Sequence, residues 1–406
     1  MPCWRHKTLL LSSCAVIWLS IQAVLLHRFN IHLAATPEPH TFRQQNHTRQ
    51  QQHGLDGRLS KYNLTLSMTH QTQKTSVPDD DRVIAFLHIG KTSGSTISVN
   101  IRQGCHDCCM QSCSGRIDGW TPNETIASQR IQSYYHREFI PHDKLNQITT
   151  IVTAVRNPIT RFISAFAYEH PLNSRATKLT HRRHVWEQFS CFPKLSHLVK
   201  AAMGRAEIRW NKAHMNALRE QAKQVNTVQF GKRYSRPKSI QEVVQPINCT
   251  ELARMAFGLN ETSMDIKQSV VNGSHPFVNH MTFDYRQYYQ SMPPAKELFV
   301  LRQESLWKDW EHVNFLLGKD NPKYQNWPAV PPFQRVERNV SHQYASQERW
   351  KLQDMQEQHW LCHLLRDEIR TYLMIIIRAV NLNGDDLSNA VSDVDRICSG
   401  SGSVEK

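Results

Sequence analysis

The stretch FLHIGKTSGSTIS, residues Phe86–Ser98, decides the predicted fold, because an apolar run passes directly into small residues and hydroxyls. The apolar run begins earlier, so Arg82–Ile89 is predicted to form a buried β-strand. GKTSGS is typical of a turn, and TISVNIR predicts the start of a helix with Ser95 or Thr96 near its N-cap. A strand, a small-residue turn and a helix together favour an anion site, since free backbone N–H groups and the helix dipole point at the bound group.

The order of residues in this turn is unusual for a nucleotide site. In the pattern G-x-x-x-x-G-K-[ST] the lysine follows the glycines. Here Lys91 comes first and Gly94 follows it. The turn therefore predicts a phosphate site of another kind, with an ordinary strand-to-helix turn and a surface lysine as the alternative.

A second segment, ITTIVTAVRNPITRFISAF, repeats the change from strand to helix over Ile148–Phe166. Its β-branched residues predict a strand at Thr149–Val155. Asn157 is a good N-cap, and Pro158 suits the first helical position. Apolar residues then recur at the spacing of one helix face. They are Ile159, Phe162, Ile163 and Phe166.

The second segment also carries a candidate anion ligand, Arg156, at the end of its strand. Open α/β sheets bind ligands at the carboxyl ends of their strands, and the guanidinium fork suits a phosphate. Ser164 follows two helical turns later. Both residues are therefore candidates for binding one phosphate group.

The two segments together resemble the cofactor motifs of the Golgi membrane-bound carbohydrate sulfotransferases. That family takes a sulfuryl group from 3′-phosphoadenosine 5′-phosphosulfate (PAPS). Its first motif is a strand, a K-[TS]-[GAS]-[GS]-[ST]-[ST]-like turn and a helix, and its second is R-[DNE]-P-x-x-[RM]-x-x-S. GKTSGST and RNPITRFIS fit both patterns in the right order, with 65 residues from Lys91 to Arg156.

This resemblance implies an α/β fold, a single sulfotransferase domain with a mostly parallel, P-loop-like central sheet flanked by helices. It assigns Arg156 and Ser164 to the 3′-phosphate of PAPS. It also implies that Lys91 stabilises the charge on the leaving phosphate oxygen. No metal is needed in this family's chemistry, so PAPS is the expected cofactor. The 5′-phosphosulfate is assigned to Lys91, Thr92, Ser93, Gly94, Ser95 and Thr96.

Sulfuryl transfer to an alcohol is helped by a side chain that removes the hydroxyl proton. SYYHREFIPHDKL, residues Ser133–Leu145, resembles the aromatic–histidine stretch of the uronyl 2-O and galactose 3-O branches of the family. His136 is the predicted base, and Glu138 and His142 are the reserve candidates. The first motif and RNP resemble the galactose 3-O branch, whereas FLHI resembles the heparan 6-O branch. The acceptor sugar therefore stays open.

The charge of the chain indicates an anionic partner. The formal net charge is +14, and residues 171–240 hold 15 Lys or Arg against 3 Asp or Glu, a difference of +12. Within this basic insertion, Arg182 and Arg183 are candidate ligands for an acidic glycan. A glycolipid acceptor and a merely solvated basic surface are the alternatives, and a lumenal location disfavours nucleic acid.

The N-terminus predicts a Golgi membrane protein of type II. Residues 8–26 are uncharged and just long enough to cross a bilayer, and a basic flank precedes them. A cleaved signal peptide is the alternative. The predicted division is a cytosolic tail at 1–7, the anchor at 8–26, a flexible lumenal stem at 27–81, the catalytic domain at 82–398 and a polar tail at 399–406.

Cysteines and sequons support the lumenal location. Eight cysteines follow the anchor, an even number that favours disulfides, although CHDCCMQSC with His106 leaves zinc as an alternative. The cysteines are Cys105, Cys108, Cys109, Cys113, Cys191, Cys249, Cys362 and Cys398. N-x-[ST] occurs seven times after the anchor, at Asn46, Asn63, Asn123, Asn248, Asn260, Asn272 and Asn339.

Two later segments predict structural elements. Lys296–Gly318 predicts a strand at Glu297–Leu301 and then a helix, and Ser346–Val380 predicts one long helix.

The function predicted from all these features is transfer of a sulfuryl group from PAPS to a glycan hydroxyl in the Golgi lumen. A non-catalytic protein that binds acidic glycans is one rival, and a P-loop phosphotransferase is the other.

Overall fold

The computed structural model describes residues 55–65, 83–93, 97, 131–135, 140–172, 188–230, 248–259, 280–282, 285–289, 291–294, 296–317, 351–352 and 354–399. The described residues from Asp56 onward belong to one compact unit, Asp56–Lys406. Within these residues, no helix is both long and apolar enough to cross a membrane. The predicted anchor at 8–26 lies outside them.

The centre of the unit is a sheet of four parallel strands, which confirms the predicted α/β class with a parallel sheet. The strand order is β2-β1-β3-β4. β3 is buried along its whole length, as expected for a parallel sheet covered on both faces. The strands are β1 (Val83–His88), β2 (Ile131–Tyr135), β3 (Ile148–Val155) and β4 (Glu297–Arg302).

The order of the strands determines where a ligand can approach. From β1 the chain goes outward to β2 and then returns across β1 to form β3 and β4. The direction of strand addition therefore reverses between β1 and β3, and open α/β sheets bind ligands at the carboxyl ends beside such a reversal. The turn containing Lys91 follows β1, and Arg156 follows β3. The sheet thus brings the two sequence motifs to adjacent strand ends.

Helices flank the sheet, and two of them were predicted closely. The helix after β3 has Asn157 as its N-cap and Pro158 at its first position, and the helix after β4 starts at Leu306. The helices are α1 (His142–Leu145), α2 (Pro158–Glu169), α3 (Leu195–Ala202), α4 (Lys212–Phe230), α5 (Cys249–Ala256), α6 (Tyr285–Tyr289), α7 (Leu306–Leu317), α8 (Met355–Leu364), α9 (Arg366–Arg378) and α10 (Gly384–Cys398).

The core lies between the sheet and the apolar face of α7. Phe86 of β1, Val152 of β3 and Phe299 of β4 pack in one cluster with Trp310 and Val313 of α7. These side chains are buried almost completely. Burying each of the larger ones stabilises the fold by about 1.5–3 kcal/mol relative to leaving it exposed.

The prediction of one long helix at Ser346–Val380 is wrong. The described part of this region forms two helices, α8 and α9, which meet at Leu365. Leu365 leaves the helical conformation at φ −94° and ψ 9°, although its N–H still donates to the Leu361 carbonyl. The apolar stripe continues across this break and stays buried. A local change of backbone direction therefore divides the helix without interrupting its packing face.

Residues 56–65, which fall within the predicted stem at 27–81, pack against α10. Leu59 and Leu64 are buried. The Tyr62 hydroxyl donates to the Asp395 carboxylate at 2.9 Å, and the Lys61 ammonium lies 2.8 Å from the same oxygen. A few apolar residues in a polar segment are enough here because α10 supplies both a surface and a charge partner.

Two disulfides confirm part of the cysteine prediction. Cys191 pairs with Cys249, and Cys362 pairs with Cys398. The first links the segment before α3 to the start of α5, and the second links α8 to the end of α10. The other four cysteines after the predicted anchor lie outside the described residues.

Candidate active site

The turn after β1 has a backbone conformation that suits an anion site. Lys91 and Ser93 both adopt positive φ, at 67° and 66°. This left-handed conformation is uncommon for residues other than glycine, and turns that contain it can direct successive N–H groups to one side. Thr92 is fully buried, and its hydroxyl donates to the Ile89 carbonyl at 2.8 Å. The Thr92 hydroxyl therefore stabilises the turn and not a ligand.

The side chain of Lys91 lies against an aromatic ring of α2. Its ammonium nitrogen is 3.8 Å from the centre of the Tyr168 ring. A cation over the face of an aromatic ring gains about 0.5–2 kcal/mol, more where water is excluded. The contact places the positive charge of the first motif at the last turn of α2.

Arg156, at the end of β3, is fixed through its main chain. Its N–H donates to the Tyr285 hydroxyl at 2.7 Å, and the same hydroxyl donates to its carbonyl at 2.6 Å. Burial raises the pKa of Tyr285 well above its usual value, so the hydroxyl keeps its proton. Burial also lowers the pKa of Arg156, while the nearby Glu304 carboxylate acts in the opposite direction. Arginine stays charged in proteins, so Arg156 remains a cation.

The start of α2 is held by Asn157 and by the residues after β4. The Asn157 side chain accepts from the Ile159 N–H at 3.0 Å, as a helix N-cap does. The backbone N–H of Asn157 donates to the Glu304 carboxylate at 2.9 Å. The buried Asn157 Nδ2 group has no hydrogen-bond partner among the described residues. The first turn of α2 therefore presents a spare donor close to Arg156.

One face of α2 contacts a residue of each motif, Arg156 through Thr160 and Lys91 through Tyr168. The Arg156 guanidinium donates to the Thr160 hydroxyl at 3.1 Å. Residues four apart in a helix share a face, so Thr160, Ser164 and Tyr168 form one row, and all three are partly exposed. The row rises by about 12 Å over the eight steps from Thr160 to Tyr168. Arg156 thus lies at one end of the row, Lys91 lies at the other, and Ser164 lies between them.

Arg302, the last residue of β4, lies opposite Val155 in the sheet, but it is not available to a ligand. Its guanidinium donates to both oxygens of Asp309, at 2.9 and 2.7 Å, and to Asp386 at 2.8 Å. All three side chains are buried. The arginine at the end of β3, beside the reversal of strand order, is therefore the better candidate.

A cavity of about 180 Å³ lies near the end of α2. Its lining combines apolar side chains, polar side chains that can form hydrogen bonds, and one lysine. Its lining includes His170, Leu172, Lys194, His214, Leu218 and Gln221. His170 is the C-cap of α2, so the cavity lies at the C-terminal end of this helix, whose last turn also holds the Tyr168 contact of Lys91.

Five of the predicted catalytic and cofactor-binding residues have side chains that the structure describes. The structure brings Lys91, Arg156 and Ser164 to one helix face, with Thr92 and Ser93 in the adjacent turn. Gly94, Ser95, Thr96, His136, Glu138, Arg182 and Arg183 lie outside the described residues. His142 begins α1, and its side chain is also outside them. Of the sequons, Asn63 and Asn248 are exposed, and the other five are outside.

The sequence analysis missed Tyr168, Tyr285 and Glu304. Tyr168 could have been found, because it continues the four-residue spacing from Ser164 on a helix that was predicted. Tyr285 is 129 residues from Arg156, and Glu304 is 147 residues from Asn157, so only the fold reveals these contacts.

Among the described residues, no group of three or more His, Cys, Asp or Glu side chains could bind a metal ion.

No protein-family model, curated protein or solved structure matches this chain. The motifs and the geometry of the site are therefore the basis for assigning a function.

Proposed function

We propose that the protein is a PAPS-dependent carbohydrate O-sulfotransferase of the Golgi lumen. The observation that supports this most is the placement of Lys91 and Arg156 at adjacent parallel strand ends and along one face of α2. The two cations are separated by helical turns and do not form a single cluster. They therefore suit a ligand with two anionic groups at a distance from each other.

PAPS has this distribution of charge. Its 3′-phosphate and its 5′-phosphosulfate are on opposite sides of one ribose. In the proposed assignment Arg156 and Ser164 bind the 3′-phosphate, and Lys91 with the turn after β1 binds the 5′-phosphosulfate. A nucleoside triphosphate has one continuous phosphate chain, and its usual loop has the lysine after the glycines. The order of residues in this turn fits PAPS better.

In the proposed reaction the chain contributes position and charge. The acceptor oxygen forms a bond to sulfur, the bond from sulfur to the bridging oxygen breaks, and that electron pair stays on the 5′-phosphate. The Lys91 ammonium stabilises the negative charge that develops there, an effect that is strong where water is excluded. Arg156 holds the other end of the donor and so fixes the direction of transfer. From the sequence, His136 remains the predicted base.

The acceptor is proposed to be a glycan, with an acidic polysaccharide favoured by charge. The cavity beside α2 is about 180 Å³ and has Lys194 and two histidines in its lining. Apart from His170, its lining residues belong to the basic region 171–240, where the formal charge is strongly positive. A polyanion would be attracted to this region most strongly at low salt.

The test is binding of 3′-phosphoadenosine 5′-phosphate, the desulfated donor, to the full chain by titration calorimetry. Lys91→Ala and Arg156→Ala should each weaken binding by at least about tenfold, since hydrogen bonds to charged groups contribute about 1.5–3 kcal/mol. Lys351→Ala and Arg370→Ala are matched controls at exposed positions and should bind normally. Unchanged affinity in the Lys91 and Arg156 variants would contradict the assignment.

Activity is tested separately with labelled PAPS and a panel of desulfated heparin, chondroitin and a lactosyl glycoside. Transfer of label to a glycan is the expected result. Binding of the donor without any transfer would favour the non-catalytic glycan-binding protein, which the basic region also suits. Transfer of phosphate from ATP would favour the P-loop phosphotransferase.

A further inference from the structure

A buried carboxylate and a histidine pair at the end of α2, next to the residues assigned to the donor. Glu169 is the last residue of α2, and its side chain is 3% exposed. It accepts a hydrogen bond from the backbone N–H of His280 at 3.2 Å and another from ring nitrogen Nδ1 of the same residue. The His280 side chain is 18% exposed. One carboxylate therefore fixes both the main chain and the ring of this histidine.

This pairing determines which ring nitrogen can act as a base. An ionised carboxylate only accepts hydrogen bonds, so Nδ1 of His280 must carry the proton. Nε2 then has the lone pair. A carboxylate that holds Nδ1–H and leaves Nε2 to take a proton is the arrangement by which many enzymes orient a histidine base. Glu169 and His280 thus have the connectivity of a catalytic dyad.

The dyad lies beside the charge assigned to the leaving group. The His280 ring packs edge-on against Tyr168, with 4.9 Å between ring centres and an interplanar angle of 82°. The Lys91 ammonium is 3.8 Å from the same Tyr168 ring centre. Adding 3.8 and 4.9 Å, the ammonium nitrogen and the imidazole centre are at most 8.7 Å apart.

Within this limit both groups can reach one transferred group. Each would make a hydrogen bond of about 2.8 Å, the base to the acceptor oxygen and the cation to the bridging oxygen. The Tyr168 ring, which contacts both groups, sets their separation.

The surroundings keep His280 in place. The Arg161 guanidinium donates to the His280 carbonyl at 2.9 Å and is paired with Glu368 of α9 at 2.7 Å. Arg161 and Glu368 are both buried. The charged groups around His280 include Glu169 and Arg161 of α2, Glu368 of α9 and, across Tyr168, Lys91. The ring is positioned by α2 on one side and by a buried ion pair behind it.

We propose that His280 is the general base of the reaction, oriented by Glu169. This inference rests on the proposed sulfotransferase function. In the step, the acceptor hydroxyl gives its proton to Nε2 of His280 while its oxygen bonds to sulfur. The bond from sulfur to the bridging oxygen breaks, and the electron pair leaves with the 5′-phosphate beside Lys91. Glu169 is a positioning residue, because it acts through the ring of His280.

The test measures turnover and donor binding separately in the full chain. His280→Ala should lower kcat by about 10²- to 10⁴-fold, the usual contribution of a positioned base. Its affinity for 3′-phosphoadenosine 5′-phosphate should stay within about threefold of the original protein, because the base does not hold the donor. His312→Ala is the matched control, an exposed histidine on α7, and should leave both quantities unchanged.

A second variant tests the inference even if His280→Ala does not fold. Glu169→Gln keeps the size of the side chain, but its amide can donate to Nδ1 and so favour the wrong tautomer of His280. We expect it to lower kcat while donor affinity and KM for the acceptor change little. Thermal unfolding and donor binding show whether each variant is folded. If His280→Ala does not fold, Glu169→Gln decides the result.

The outcomes separate this inference from the proposed function. If the unaltered chain does not bind the donor or sulfates no glycan, the proposed function fails and the inference falls with it. If the chain is active and either folded variant keeps its kcat, the inference alone is overturned. Loss of turnover in His136→Ala with full turnover in His280→Ala would give the role to His136.

Discussion

The hydroxyl of Tyr285 holds both main-chain groups of Arg156. It accepts from the Arg156 N–H at 2.7 Å and donates to the Arg156 carbonyl at 2.6 Å. These two backbone groups lie where β3 ends, so the sheet itself no longer pairs them. One buried hydroxyl therefore replaces the missing strand partner and fixes the direction in which the guanidinium leaves the sheet.

Tyr285→Phe should weaken the site without removing any proposed ligand. Two partly buried backbone groups lose their partner, which costs up to about 1–3 kcal/mol for each group that water does not reach. We expect a lower free energy of unfolding and weaker binding of 3′-phosphoadenosine 5′-phosphate, measured by urea unfolding and calorimetry. Tyr289→Phe, on the same short helix, is the control and should have a much smaller effect. Equal affinity in both variants would show that the hydroxyl does not position Arg156.

The ring of Tyr168 should matter for donor binding through its contact with Lys91. Tyr168→Leu removes the aromatic face under the ammonium, whereas Tyr168→Phe keeps it. Because such a contact contributes about 0.5–2 kcal/mol, we expect Tyr168→Leu to bind the donor about 2- to 30-fold more weakly than Tyr168→Phe. Calorimetry on the two variants measures this difference. Identical affinities would mean that the cation–ring contact does not place Lys91 for binding.

The left-handed backbone at Ser93 should limit stability. A residue with a β-carbon loses about 1–2 kcal/mol in this conformation, and glycine does not. Ser93→Gly should therefore raise the melting temperature or leave it unchanged, because the greater freedom of glycine in the unfolded chain offsets part of the gain. Ser93→Val should lower the melting temperature clearly. A valine variant as stable as the original protein would contradict the strained turn.

The acidic side chain of Asp386 should make the fold sensitive to acid. Burial by itself raises the pKa of Asp386, but the hydrogen bond from the Asn383 N–H and the charge of Arg302 together hold it below its usual value. The stabilisation is therefore complete above the unfolded pKa of about 3.9 and is lost as the pH falls below it. Asp386→Asn should lower stability at pH 7 and lessen this acid-dependent loss.

The control for this prediction is Asp385→Asn, an exposed neighbour on the first turn of α10. It should change stability by only about 0.3–1 kcal/mol, through its interaction with the helix dipole. Urea unfolding at pH 7 and at pH 3 provides the comparison. The same pH dependence in Asp386→Asn as in the unaltered chain would contradict the assigned role of this carboxylate.

The disulfide from Cys362 to Cys398 should stabilise the C-terminal helices. It closes a loop with a sequence separation of 36 residues, for which the chain-entropy model gives about 4 kcal/mol. Cys362→Ser with Cys398→Ser should lower the melting temperature in non-reducing buffer. Peptide mapping of the unaltered chain should recover the linked pair. Equal melting temperatures for the two proteins would contradict a structural role for this bridge.

Local sequence pattern was sufficient for three of the four strands and for α2, whereas β2 was not predicted. The apolar run before Lys91, the β-branched run before Arg156 and the run before Gln303 became β1, β3 and β4 within one or two residues of the predicted bounds. Asn157 and Pro158 marked the start of α2 correctly. Such signals work because strand alternation, capping and helix periodicity depend on neighbours in the chain.

Two other features of the fold were not predicted from the sequence. Residues 56–65 are polar enough to be interpreted as a stem, yet Leu59 and Tyr62 pack where α10 supplies a surface. The helix predicted at Ser346–Val380 divides at Leu365, although its apolar stripe is continuous. Contact with α10, more than 300 positions away in the chain, decides the first outcome, and the second is a local change of backbone direction at Leu365.

By itself the sequence determined the class of fold and the two cations, because a parallel strand and the turn after it are encoded within about fifteen consecutive residues. Only the tertiary structure decided how those cations are arranged. The order of strands placed Lys91 and Arg156 at adjacent ends, and α2 spaced them along one face. Residues more than 100 positions away, Tyr285 and His280, then fixed Arg156 and completed the pair with Glu169. Such contacts depend on the path of the whole chain, which no short stretch of residues contains.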